Sequence, residues 1–202
     1  EKTLVEMRRG GIWDHVGFGF HRYSTDQEWL LPHFEKMLYD QALLLMAYLD
    51  AYQLTGDPQY AATAREIVAY IDRDLTRPGG GYYSAEDAES EGVEGKWYLW
   101  TPEELAAVLG ADDAAFVSKV FNVQKGGNFE DEASGAKTGE SILHLRASMG
   151  ELAASLKMDE ATLVARIESC RAKLFAAREK RPRPRRDDKV LTDWNGLMIA
   201  AT

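Results

Sequence analysis

The sequence predicts an all-α domain, a set of helical hairpins forming part of a toroid with a small β-hairpin inserted. Three observations carry that prediction. Two long segments with apolar residues at three- and four-residue spacing are joined by only four residues. Further helical segments fill the second half, and the connections between pairs are long, aromatic and polar, whereas a four-helix bundle is normally joined by shorter turns. One domain spanning residues 1–202, cut at both ends, is the expected organisation.

In chain order, Leu4 and Met7 on a charged background read as a helix tail ending at Gly10 and Gly11, residues suited to a left-handed turn. Residues 12–31 carry five aromatics and no helical period, so they form a long ordered loop of the kind that is usually functional. Pro32 opens a helix expected over about 33–54, striped by Phe34, Met37, Leu38, Leu45, Leu49 and Tyr52. A turn at 55–58 leads to a second helix over 59–75, with Ala61, Ala64, Ile67, Val68 and Ile71 on its buried face. Aromatic runs at 82–84 and 96–100 have strand character and predict the β-hairpin. Thr101, Pro102 and Glu104 make a capping box before a short helix at 103–109. Another helix is expected at 112–120, a polar loop at 125–141 and a long helix at 160–180 built on Leu163, Ile167, Cys170 and Leu174. The last residues open a further helix, with Asp193 as its N-cap.

Composition narrows the function. An apolar fraction of 45% with 28% charged residues is ordinary globular usage. A net charge of −9 argues against nucleic acid and anionic lipid as partners. The single cysteine, Cys170, cannot form an intrachain disulfide, and no metal site is expected. The longest apolar run, 42–49, is far shorter than the ~20 residues of a membrane span.

Several side chains could carry chemistry. His21 and Arg22 lie in the long loop, where the imidazole could exchange protons near neutrality or simply bond loop backbone. In a helix from residue 33, His33, Lys36, Met37 and Asp40 share one face, either as a reactive row or as a surface end with a Lys36–Asp40 ion pair. Glu86 and Asp87 head an acidic run whose later members, Glu89 and Glu91, read as solvated. Arg181, Arg183, Arg185 and Arg186 alternate with prolines, in a stiff loop that would deliver Asp188 to the same rim as Trp194 and Asn195. Trp13 and Trp194, at presumed loop-to-helix junctions, are candidate platforms for a sugar ring.

The run GGIWDHVGFGFHRYSTDQEWLLPHFEKMLYDQ at 10–41 resembles the signature of the thioredoxin-domain-containing family once grouped as DUF255. GGGYYSAEDAES at 79–90, GKWYLWTPEEL at 95–105 and RRDDKVLTDWNGLMIAA at 185–201 agree with it. The resemblance covers nearly the whole chain, most weakly between residues 110 and 179; Phe18 departs from it where glycine is expected. It implies a helical six-hairpin, (α/α)6 domain similar to N-acylglucosamine 2-epimerases, following an N-terminal thioredoxin-like domain that this chain lacks. It also implies carbohydrate processing by proton transfer next to a sugar carbonyl, with no cofactor and a cytoplasmic location. In that reading His21 and His33 are the acid–base pair, Asp40 or Asp188 orients them, and Arg22 or Lys36 steadies the enediolate. Trp13, Glu86, Trp194 and Asn195 would help bind the sugar. The alternatives are a docking platform for the thioredoxin-like domain and a glycoside hydrolase using carboxylates such as Asp87 and Asp188.

Overall fold

The computed structural model describes residues 1–130 and 135–202, so 131–134 of the expected polar loop lie outside the described residues. About half of the chain is helical, in eight helices among the described residues, with short strands between them. The helices are α1 (Lys2–Arg9), α2 (Leu38–Thr55), α3 (Pro58–Tyr70), α4 (Pro102–Leu109), α5 (Ala111–Val120), α6 (Met149–Leu156), α7 (Glu160–Arg178) and α8 (Thr192–Ala201).

Their ends follow local chemistry. Helix α2 stops at Gly56, whose φ of 71° is open to glycine without strain. Asp57 then accepts from the Gln59 backbone, with Pro58 at the first helical position of α3. Thr101 and Glu104 form the expected reciprocal cap of α4, and Ser148 with Glu151 repeats the device at α6. The expected second helix is α3 followed by one π-helical turn, Ile71–Leu75.

The strands are two residues each. β1 (Tyr23–Ser24) pairs antiparallel with β2 (Pro32–His33), and β5 (Glu89–Ser90) with β6 (Val93–Glu94). A three-stranded antiparallel sheet runs β3 (Lys36–Met37), β4 (Ala85–Glu86), β7 (Arg186–Asp187). The inserted hairpin is therefore 89–94, not the aromatic runs at 82–84 and 96–100. Trp97, Tyr98, Leu99 and Trp100 are all buried, so their side chains serve the core on every side instead of alternating across a sheet.

Three cores hold the fold. One lies between α2, α3, the π-helical turn and α8, around Leu38, Leu45, Tyr48, Ile67, Tyr70 and Met198. A second lies among α4–α7 around Val117, Val120, Leu163 and Leu174, and Phe34, Trp97, Tyr98 and Ile142 form a third. Among the described residues no helix is long and apolar enough to cross a membrane.

Two glycines do other work than expected. Gly10 is extended at φ −65°, and a Cβ there would stand 2.3 Å from the Trp29 carbonyl oxygen. Gly11 is as tightly met, by the Leu30 carbonyl at 2.1 Å, so this pair permits close backbone approach and makes no left-handed turn. Phe18, by contrast, does adopt a φ of 68°, which explains why glycine is the expected residue at that position.

The loop over 12–22 is fixed from below by Gln41, on the buried face of α2. Its Oε1 accepts from the Phe20 N–H at 2.9 Å and its Nε2 donates to the Phe20 carbonyl at 2.7 Å. Gln41→Ala strands both buried backbone groups and is expected to cost about 2–4 kcal/mol, measured by urea unfolding. A loss below about 0.5 kcal/mol would show that the loop is anchored elsewhere.

Candidate functional site

Residues 32–38 form the axis of the site, and they are extended. Phe34, Lys36 and Leu38 are buried while His33, Glu35 and Met37 are half-exposed, a two-residue alternation that places them on opposite faces. The helix expected from residue 33 begins at Leu38, because the backbone of 36–37 is engaged by β4. His33, Lys36, Met37 and Asp40 consequently share no helical face, and no Lys36–Asp40 pair forms; Lys36 points inward.

On the inner face, the Lys36 ammonium donates to Asp14 Oδ2 and to the Phe18 carbonyl, both at 2.7 Å. Arg178, at the end of α7, grips both oxygens of Asp14 at 2.8 Å. Asp14 Oδ1 also accepts from the backbone of Val16 and Gly17 at 3.0 Å, binding the loop to the charge cluster. Burial alone would raise the Asp14 pKa, but Arg178 and Lys36 hold it well below the ordinary 3.8. Burial lowers Lys36, against the pull of Asp14 and Glu86. Burial also raises Glu86, against Lys36; this carboxyl accepts from the Tyr70 hydroxyl at 3.2 Å.

His21 belongs to the same interior. Its Nδ1 donates to the Phe34 carbonyl at 2.9 Å, and its ring meets Tyr98 edge-on at 4.5 Å. Burial, with Lys36 nearby, drops its pKa to about 3, so the ring is neutral at physiological pH. The cavities here measure about 20 and 10 Å³, the size of one water, against the several hundred Å³ of a small-molecule site. His21, Lys36, Glu86 and Trp13 are thus internal supports. Trp13 packs against Phe20 with ring centroids 4.6 Å apart and offers no open face to a sugar.

On the outer face, a continuous ribbon of polar and aromatic groups runs from α8 to β6. Trp194 meets Tyr39 edge-on at 4.8 Å, bringing the first turns of α8 and α2 together. Arg22 donates to the Tyr39 hydroxyl at 3.2 Å and to Glu35 at 2.9 Å. Glu35 lies 3.1 Å from His33 Nε2, Glu94 lies 2.7 Å from His33 Nδ1, and Tyr23 stacks on the imidazole at 5.0 Å. Asp40 stands in the first turn of α2, with Oδ2 buried and unpartnered. Its burial, reinforced by Glu35 against Arg22, raises its pKa to about 7.

The structure therefore separates the two histidines expected to act as a pair, and gathers His33 with Asp40, Arg22 and Trp194. The partners Glu35, Tyr39, Glu94 and Tyr23 were missed by sequence reasoning. Glu35 could have been found by the two-residue period, which puts it beside His33.

The remaining candidates fall elsewhere. Asp87 is exposed, and its Oδ1 accepts from Glu89 N at 3.3 Å. Asp188 is also exposed, and extending the β4–β7 register by one residue sets it opposite Ser84. Asp87 is three residues further along, about 10 Å away and on the opposite face, so the two do not form a hydrolytic pair. Asn195 is buried and clamps the backbone of Tyr82, accepting from its N–H at 2.8 Å and donating to its carbonyl at 3.0 Å. Asp193 sits inside the first turn of α8, whose N-cap is Leu191. Arg181 donates to the carbonyls of Trp97 and Leu99, and Arg183 pairs with Asp74 and Glu179, so these cations are spent internally. Among the described residues no three His, Cys, Asp or Glu side chains are grouped to hold a metal ion.

No family model matches the chain. Human spermatogenesis-associated protein 20 is 42% identical over 98% of the chain, and its mouse counterpart is 40% identical over the same share. An uncharacterized protein of Caenorhabditis elegans is 36% identical, again over 98% of the chain. The chain spans only 27% of the length of the two mammalian proteins and 30% of the nematode one. Over 98% of its length the chain is thus similar to one part of spermatogenesis-associated protein 20.

Proposed function

We propose that the outer ribbon is the working edge of a carbohydrate-processing domain, part of an (α/α)6 toroid in a cytoplasmic protein that also carries a thioredoxin-like domain. The reaction is proton transfer next to the carbonyl of a reducing sugar. Asp40 removes the proton from C2, Arg22 steadies the resulting enediolate, and His33, held between Glu35 and Glu94, returns a proton. Trp194, Tyr39 and Tyr23 offer faces for the ring. The observation that carries this reading is Asp40 itself: its pKa of about 7 matches general acid–base work near neutrality, and its carboxyl lies within the fields of Arg22 and Glu35. Neighbouring first turns of α2 and α8 are also where parallel inner helices of a toroid would open.

The test is hydrogen exchange at C2 of reducing sugars in deuterated water, followed by proton NMR with the intact protein. Loss of the C2 signal for one sugar class, dependent on Asp40, is the expected result. Release of reducing ends without exchange would mark a hydrolase, and silence across all sugars would overturn the reading.

A second reading, the docking platform, draws on exposed apolar side chains of two packed helices: Leu43, Tyr52 and Leu54 on α2 and Ile199 on α8. The thioredoxin-like domain is the partner it implies. Leu43→Asp with Ile199→Asp would then weaken that association and leave C2 exchange unchanged.

A further inference from the structure

The inner cavity of about 20 Å³ is lined by Gly11, Trp13, Asp14, His21 and Tyr98 among others. Two atoms of these residues, Trp13 Nε1 and the Tyr98 hydroxyl, are buried and have no hydrogen-bond partner. Each orphan of this kind costs about 1–3 kcal/mol if left unsatisfied.

His21 adds a further polar group to the lining. A carbonyl only accepts, so the bond from Nδ1 to the Phe34 carbonyl fixes the proton of the neutral ring on Nδ1. Nε2 is left as a bare acceptor, and among the described residues no donor is bonded to it. The three groups therefore present one obligatory donor, one obligatory acceptor and one hydroxyl able to do either. An ion does not fit, because the nearby Asp14 charge is already met by Lys36 and Arg178. The lining mixes polar and apolar side chains, and a volume of about 20 Å³ is on the scale of one water.

We infer that this cavity is a binding site for a single internal water molecule. The water accepts from the Trp13 indole, donates to His21 Nε2 and takes the Tyr98 hydroxyl as its third partner. It stitches the loop that carries Arg22 to the aromatic segment after β6, beneath the outer ribbon, without depending on what the ribbon binds.

The inference is tested on intact protein labelled with ¹⁵N-tryptophan. The Trp13 indole proton is expected to show a cross-relaxation peak to a long-lived water, and a high-resolution crystal structure to show density within hydrogen-bonding distance of Nε1. Tyr98→Phe removes one partner and leaves the ring in place, and is expected to speed exchange of that water at least fivefold. A sharp, assigned indole signal with no water peak, a cavity without density, or exchange unaltered by Tyr98→Phe would each overturn it.

Discussion

Asp14→Ala is expected to lower stability by about 3–5 kcal/mol, because it leaves Lys36 and Arg178 charged, buried and without their shared carboxylate. The same change frees the Val16 and Gly17 backbone, so the loss falls on the loop, α7 and the β3 strand together. Urea unfolding at pH 7 measures it. The depressed Asp14 pKa makes the stabilisation pH-independent over the ordinary range: it is complete above about 3.8 and fades only as pH falls through the lower folded value. The Asp14 carboxylate itself therefore adds no pH dependence between pH 6 and pH 8. Replacing Asp14, Lys36 and Arg178 together by apolar residues of similar size should cost less than Asp14→Ala alone, since no unpaired charge remains. A single-site loss under about 1 kcal/mol would show that solvent reaches the cluster.

Asp40→Asn should do the reverse: stabilise the protein at pH 8 while abolishing the proposed activity. The Asp40 pKa is raised from 3.8 to about 7, so between those values the folded state holds a proton that the unfolded state has released. Its contribution is consequently lost as pH rises from about 4 through 7, and ionisation above 7 strains the native state. Asparagine stays neutral, and its gain at pH 8 is about 1–2 kcal/mol once partial exposure is allowed for, vanishing at pH 4. His15 and His21, both held neutral by burial with pKa values near 3, contribute stability that declines as pH falls below about 6.5. That term is common to both proteins, so the difference between their melting curves isolates Asp40. C2 exchange should fall by about 10²–10⁴-fold in the variant. Unchanged exchange would remove Asp40 from the mechanism, and equal stability at pH 4 and 8 would show that its carboxyl titrates normally.

The helices were legible where capping chemistry is local: Thr101 with Glu104, the turn at 55–58 ahead of the second helix, and the apolar seam of α7 all stand as the spacing implied. The start of α2 was not, because Pro32 is also a good first helical residue and the inward residue of the alternation is a lysine. A buried Lys36 disguises a period that Phe34 and Leu38 alone would have announced. Its partners were equally hidden: Arg178 meets Asp14 across 164 residues, from a helix whose other basic residues, Arg166, Arg171 and Lys173, are less deeply buried. His33, Asp40, Arg22 and Trp194 could be nominated from residue type, but their separation from His21 depends on which side of an extended strand each one takes.

That odd–even division makes length, more than composition, the vulnerable property of the strap ahead of α2. Trimming one residue from it would swing the ammonium into solvent and the imidazole into the hydrocarbon interior, exchanging the two inventories wholesale. Point substitutions there should sort by parity, those at 34 and 36 registering as melting temperature and those at 33 and 35 as altered performance of an otherwise sturdy molecule.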